Sequence, residues 1–165
     1  MRYVILLFLL VLISVLEASV LPYFRLNSGH PNLVLLVVVA WSIRSDWDES
    51  VFWAFIGGII QDLNSIVPLG TSVIPLVLSV FAVKFIITQI EGLTLLVYWG
   101  VVMAGMFVGH IVLFVTLGLV GYGIDLVPTV RYFMLPSLIY QLVLALPIYW
   151  MVRGLQNLFP NRRAI

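Results

Sequence analysis

Long apolar runs, broken by short clusters of proline, glycine and charged residues, set the pattern of this chain. A helix that crosses roughly 30 Å of hydrocarbon needs about 20 predominantly apolar residues. On that measure residues 3–21 form a first spanning helix, ended by Pro22. Residues 71–90 form a fourth, 93–120 a fifth and 130–153 a sixth. The fifth run is longer than one crossing requires, so it must tilt or project from the bilayer. Residues 31–67 hold two shorter runs, 33–43 and 51–63, split by the polar turn Arg44-Ser45-Asp46-Trp47-Asp48-Glu49-Ser50. They read either as two short helices shielded by their neighbours or as one re-entrant hairpin. Two helices, about 32–44 and 51–63, are favoured. Pro31 suits a first helical turn, and the turn is too charged to lie in lipid.

Composition turns this pattern into a class. The chain is 63% hydrophobic and 9% charged, against about 25% charged in soluble domains. Its polar side chains are too few to wet a surface. An all-α integral membrane protein, one domain over residues 1–165 with about six transmembrane helices, is the class that tolerates the balance. The net charge of +1 and the lack of any long basic run give no footing for nucleic acid. There is no cysteine, which removes disulfides, thiolate metal sites and thiol nucleophiles. The loops leave no room for a soluble catalytic domain. Arg2 and the apolar run behind it have the outline of a signal peptide. Yet a cut after Ala18 or after Ser19 would set Leu16 or Glu17 where a small residue is needed, so the segment is expected to stay as an anchor.

Lysine and arginine orient such a protein. With six helices and the N-terminus inside, the cytoplasmic face collects Arg2, Arg44, Lys84, Arg153, Arg162 and Arg163. The outer face keeps Arg25 and Arg131, so both termini are expected to be cytoplasmic. Trp41, Trp47, Trp53, Trp99 and Trp150 fall near expected helix ends, where amphipathic rings anchor at the interface.

Ionisable groups inside spans are costly and therefore informative. Glu17 is expected to snorkel to the outer surface or to pair with Arg25 or Arg131; a proton-relay or ligand role is the sharper alternative. Lys84 and Glu91, two helical turns apart, read as a solvated interface pair. His110 reads as a hydrogen-bonded histidine packed against a neighbouring helix, since no second ligand one turn away suggests a metal. No catalytic, cofactor-binding or metal-binding residue is expected.

The glycines point to packing. Gly105 and Gly109 form a G-x-x-x-G, and Gly100 with Ala104 adds a second small pair; small residues let helix backbones approach in lipid. Contact within the chain is favoured over contact with a partner helix. Gly57-Gly58 permits close packing in the third helix. That helix ends at Asp62, and Asn64 and Ser65 can bond exposed backbone in a turn. Pro68, Leu69 and Gly70 shape a structural corner on the outer side, and Thr71 or Ser72 can cap the fourth helix. Gly70-Thr71-Ser72-Val73-Ile74 is not a G-x-S-x-G nucleophile turn.

These residues also carry a resemblance. The chain reads Pro31-Asn32-Leu33-Val34-Leu35-Leu36, a short polar turn, then Phe55-Ile56-Gly57-Gly58-Ile59-Ile60-Gln61-Asp62 and Pro68-Leu69-Gly70. This resembles the MreD family of the rod-shape system: a proline and a small polar residue leading a Leu/Val-rich helix, a glycine-containing helix ending in Asp, and a Pro-Leu-Gly corner. The motif match covers roughly residues 31–70, and Asn32 stands where an aspartate is common. The resemblance implies a non-enzymatic scaffold in the bacterial inner membrane. It would bind MreC and, through it, the glycan polymerase RodA and its partner transpeptidase, beside cytoplasmic MreB filaments, and so help organise peptidoglycan synthesis. It would meet membrane lipid and no nucleic acid, and need no cofactor. It also implies a fold similar to the substrate-binding subunits of energy-coupling-factor vitamin importers.

That likeness supplies the rival, a small-molecule-binding importer subunit. Such a subunit needs converging polar groups on the outer side, for which Asp62, Asn64, Arg25 and Arg131 are the candidates. It docks its partner through an A-x-x-x-A pattern in the first helix, where this chain has only Ala18. An intramembrane enzyme would have only Glu17, Asp62 and His110 to work with, the histidine well below the aspartate.

Overall fold

The computed structural model describes residues 2–19, 31–90, 92, 94–121 and 134–158. Among them are six helices: α1 Arg2–Ser19, α2 Leu33–Ser42, α3 Trp47–Leu63, α4 Val73–Ile87, α5 Leu95–Leu119 and α6 Leu135–Leu158. Two of these, α5 and the Pro136–Leu158 stretch of α6, are long and apolar enough to cross a membrane by length and composition. The remaining apolar helices are shorter.

Helix α2 is the hub. It packs against α1, α3, α4, α5 and α6, and every residue from Val34 to Ser42 is buried. Its sequence explains this: Leu-Val-Leu-Leu-Val-Val-Val-Ala is apolar on all sides, and a helix without a polar face belongs in an interior. Its ten residues span only about 15 Å, roughly half the hydrocarbon thickness. Backbone groups left free at such depth would be expensive. Here both ends are tied off by other segments. At the C-terminal end the Trp41 carbonyl accepts from Ser45 Oγ at 2.7 Å, Gln156 Nε2 at 3.2 Å and the Arg44 amide at 3.3 Å.

Neighbouring contacts fix the relative directions. Tyr3 stacks on Trp53, and Ser14 bonds to Ile60 and Asn64, so α1 and α3 run parallel with α2 reversed between them. Tyr98 near the start of α5 meets Tyr149 near the end of α6, and Gln156 reaches Trp41. One end of the bundle therefore holds the turn between α2 and α3, the end of α4, the start of α5 and the end of α6. The other holds the start of α2 and the corner between α3 and α4.

The burial pattern is that of a lipid-facing exterior. Phe8, Phe55, Phe85, Leu96 and Val143 are exposed, while Ser14, Ser42, Ser79, His110 and Gln141 are buried. So much exposed apolar surface would be a liability in water and is what hydrocarbon demands.

Several local expectations give way. Pro31 precedes the N-cap Asn32 and is not in the first turn of α2. Helix α3 starts at Trp47, so half of the charged turn is helical; Asp48 and Glu49 sit in its first turn, where carboxylates favour the helix dipole. Helix α6 runs past Arg153 to Leu158. Trp41 and Trp53 are not interface anchors: they are 1% and 3% exposed. Burial at the hub suits Trp41 because its Nε1–H donates to Glu49 Oε1 at 3.2 Å. Trp47 and Trp150 do stay exposed.

Candidate functional site

The corner between α3 and α4 is built around one carboxylate. Asp62, 3% exposed, ends α3. Its Oδ2 accepts from the Gly70 amide at 2.6 Å, and its Oδ1 from the Ser72 amide at 3.0 Å. The amides at a helix start have no intrahelical partner, so Asp62 caps α4 from the preceding helix. Neither Thr71 nor Ser72 performs the expected side-chain capping. Ser72 holds the cap position without such a bond, and Thr71 Oγ1 donates to the Pro68 carbonyl at 2.7 Å. Gly70 has φ +98°, a left-handed conformation that a Cβ disfavours. Leu69 and Ile66 are exposed at the tip. Ser65 Oγ donates to the Asp62 carbonyl at 3.1 Å, and Asn64 Nδ2 to Ile60 O at 3.0 Å and Ser14 Oγ at 2.9 Å.

Glycine sets the spacing below the corner. A Cβ on Gly58 would lie 2.5 Å from Val73 Cα, and one on Gly57 would lie 3.1 Å from a Val38 methyl. On α5, a Cβ on Gly105 would meet Val83 at 2.5 Å and Val39 at 3.2 Å. One on Gly109 would meet Ser79 Oγ at 2.6 Å and Leu35 at 2.7 Å. This G-x-x-x-G thus packs on α4 and α2 of its own chain. Gly100 has nothing within 4 Å.

Glu17 is the residue whose role sequence reasoning missed. Both of its carboxylate oxygens accept hydrogen bonds from other segments of the chain. Its Oε2 accepts from the Leu33 and Val34 amides at 3.0 and 3.2 Å, and its Oε1 from Gln61 Nε2 at 3.3 Å. Asn32 Oδ1 accepts from the Leu35 amide at 2.8 Å. Together they satisfy the start of α2, and Glu17 joins α1, α2 and α3 in one network. The available signal was the pairing of an intramembrane carboxylate with a proline-led helix start at the same depth. The expected partners Arg25 and Arg131 lie outside the described residues.

Lys84 is buried, not solvated: its Nζ donates to the Ser45 carbonyl. Its expected partner Glu91 lies outside the described residues, as do Arg162 and Arg163. His110 is buried and its Nδ1 faces the Met106 carbonyl at 2.8 Å, one turn back on its own helix. It lines a crevice with Asn32, Gln61 and Ser72, between α2, α3, α4 and α5. No group of three or more His, Asp or Glu side chains able to hold a metal occurs among the described residues. Glu17, Asp62 and Asn64 are all engaged in holding backbone or amide groups.

The chain matches a family model described as MreD, rod shape-determining protein MreD, over residues 1–159. No curated protein matches it, and no solved structure matches it.

Proposed function

The chain belongs to the MreD family of rod shape-determining membrane proteins, and from that premise we propose that it is a non-enzymatic scaffold of the cell-shape complex. On this reading it captures MreC in the bilayer and, through MreC, helps to position RodA and its partner transpeptidase for peptidoglycan synthesis.

One observation carries the proposal. The intramembrane carboxylates that acid–base chemistry would need are used to lock helices to one another, as Glu17 does for α1, α2 and α3 and Asp62 for α3 and α4. What remains for function is a rigid body with an apolar exterior, and such a body works by presenting fixed faces to partners. Six crossings of the inner membrane with both termini cytoplasmic fit the alternating helix directions. Arg44, Lys84 and Arg153 lie toward the bundle end away from the Asp62 corner, as the excess of cytoplasmic Lys and Arg requires.

The importer-subunit reading, with its likeness to energy-coupling-factor subunits, rests on the crevice beside His110. That crevice encloses little space of its own, far short of the roughly 300–1,000 Å³ of small-molecule pockets. Asp62 and Asn64, two of its expected ligands, are committed elsewhere. The scaffold is therefore the better account.

Affinity capture of the tagged protein from native membranes in mild detergent, followed by mass spectrometry, tests it. Co-purification of MreC, alone or with RodA and a transpeptidase, is the expected result. Capture of nucleotide-binding-cassette subunits with a bound vitamin would replace the scaffold with the importer subunit.

A further inference from the structure

At the bundle end opposite the Asp62 corner, an open cleft lies between the end of α2, the start of α5 and the end of α6. Arg44, Thr94, Tyr98, Tyr149, Arg153 and Gln156 supply its polar lining, and no acidic side chain lines it among the described residues. Its groups are almost all hydrogen-bond donors, and several have nothing to donate to.

Arg153 is held in place: one guanidinium nitrogen donates to Tyr149 Oη at 3.0 Å, and the group lies 5.7 and 5.9 Å from the ring centroids of Tyr149 and Trp150. Its other N–H groups meet no acceptor among the described residues. Because the Tyr149 oxygen accepts from Arg153, its own proton is left for another partner. The Tyr98 ring sits 4.4 Å from that of Tyr149. Tyr98 is 4% exposed and its hydroxyl has no partner, a costly arrangement unless something fills the cleft. Thr94 Oγ1 accepts from the Val97 amide at 3.3 Å, so its proton is also free. It marks the N-terminus of α5, where orphan amides and the helix dipole favour an anion. Neither Arg44 nor Arg153 is paired with a carboxylate among the described residues.

Two guanidiniums, three hydroxyls and a helix start line this cleft with no counter-charge among the described residues, and guanidiniums suit phosphate oxygens. Gln156 adds one demand. Its Nε2 donates to the Trp41 carbonyl, so its unpartnered Oε1 needs a donor. A phosphoester that also bears a hydroxyl meets both requirements. We propose that this cleft binds a hydroxylated phosphoester, taken either from an anionic lipid headgroup or from a soluble glycerol-phosphate-like molecule. The site is independent of the scaffold reading and holds whichever partners the outer faces bind.

The test uses the full chain purified in detergent. In one arm, native mass spectrometry follows retention of phosphatidylglycerol against phosphatidylcholine of the same acyl chains. In the other, titration calorimetry follows glycerol 1-phosphate binding to protein in phosphatidylcholine nanodiscs. The variants are Arg44→Gln with Arg153→Gln, and Tyr98→Phe, which keeps the buried ring and removes only the hydroxyl. Loss of two charge-assisted contacts should weaken binding at least about tenfold, and loss of the Tyr98 hydroxyl about fivefold. Selective phosphatidylglycerol retention that falls in both variants assigns the lipid source. Saturable glycerol 1-phosphate binding that falls in both assigns the soluble one. Equal retention of the two lipids with no glycerol 1-phosphate binding would overturn the proposal. So would binding that Tyr98→Phe leaves unchanged in a protein that melts like the wild type.

Discussion

Asp62 and Gly70 are joined by a 2.6 Å hydrogen bond from the glycine amide to the aspartate carboxylate, across eight residues of chain. The same carboxylate takes the Ser72 amide, so one side chain both ends a helix and starts the next. Replacing Asp62 by alanine leaves two amides without an acceptor, one of them on buried Ser72. About 1–3 kcal/mol of stability should be lost. Gly70→Ala should cost about 1–2 kcal/mol by a different route, since its φ of +98° disfavours a side chain although nothing lies within 4 Å. Because both act on one corner, the double variant should lose less than the sum. Melting in a single detergent, followed by circular dichroism, measures all three; additive losses would separate the two residues.

Glycine positions on α3 and α5 should respond in opposite directions. At Gly58 an added methyl would lie 2.5 Å from backbone of α4, which cannot swing aside as a side chain can. Gly58→Ala should therefore push α3 from α4 at a cost of about 1–3 kcal/mol. Gly100 lies inside α5 with open space around it, so Gly100→Ala should stabilise by about 0.5–1 kcal/mol. Thermal unfolding of the pair distinguishes these outcomes, and equal melting of both variants would contradict the close α3–α4 approach.

How far the string of residues foretells this arrangement depends on whether a feature is local. Helices α5 and α6 announce themselves by length and apolar content, and α2 by its uniform hydrophobicity between Asn32 and the charged turn. Gly70 and Pro68 mark where the backbone must turn. What cannot be read is pairing at a distance. Glu17 reads as a carboxylate meant for water or for Arg25 or Arg131 until α2 is seen to begin beside it, with Leu33 and Val34 offering amides. Trp41 looks like an interfacial ring because it ends an apolar run, and only its bond to Glu49 and its place at the hub make it a core residue. Lys84 is misplaced for the same reason: the Ser45 carbonyl that receives it belongs to another loop.

Topology yields a direct prediction because the chain has no cysteine. Single cysteines at Leu69, exposed at the corner, and at Arg44, beside the basic end, report opposite ends of the bundle. In intact spheroplasts a membrane-impermeant maleimide should label Leu69→Cys and spare Arg44→Cys. In inverted vesicles the preference should reverse. Labelling of both from one side would exclude the six-crossing arrangement and restore the re-entrant hairpin for residues 31–67.

Glu17 separates a structural carboxylate from a working one. Three donors depend on it: the Leu33 and Val34 amides and Gln61 Nε2. Leaving a buried donor without its acceptor costs about 1–3 kcal/mol. Glu17→Ala should therefore destabilise by about 2–4 kcal/mol. Glu17→Gln keeps one oxygen of similar reach for the α2 amides, so it should lose about half as much. If the residue acts only as a cap, activity should follow stability: the glutamine variant should still support rod shape at low temperature, and the alanine variant should fail first on warming. A glutamine variant that melts near the wild type yet abolishes rod shape at every temperature would show that the exchangeable proton of Glu17 is used, and the capping account would then be incomplete.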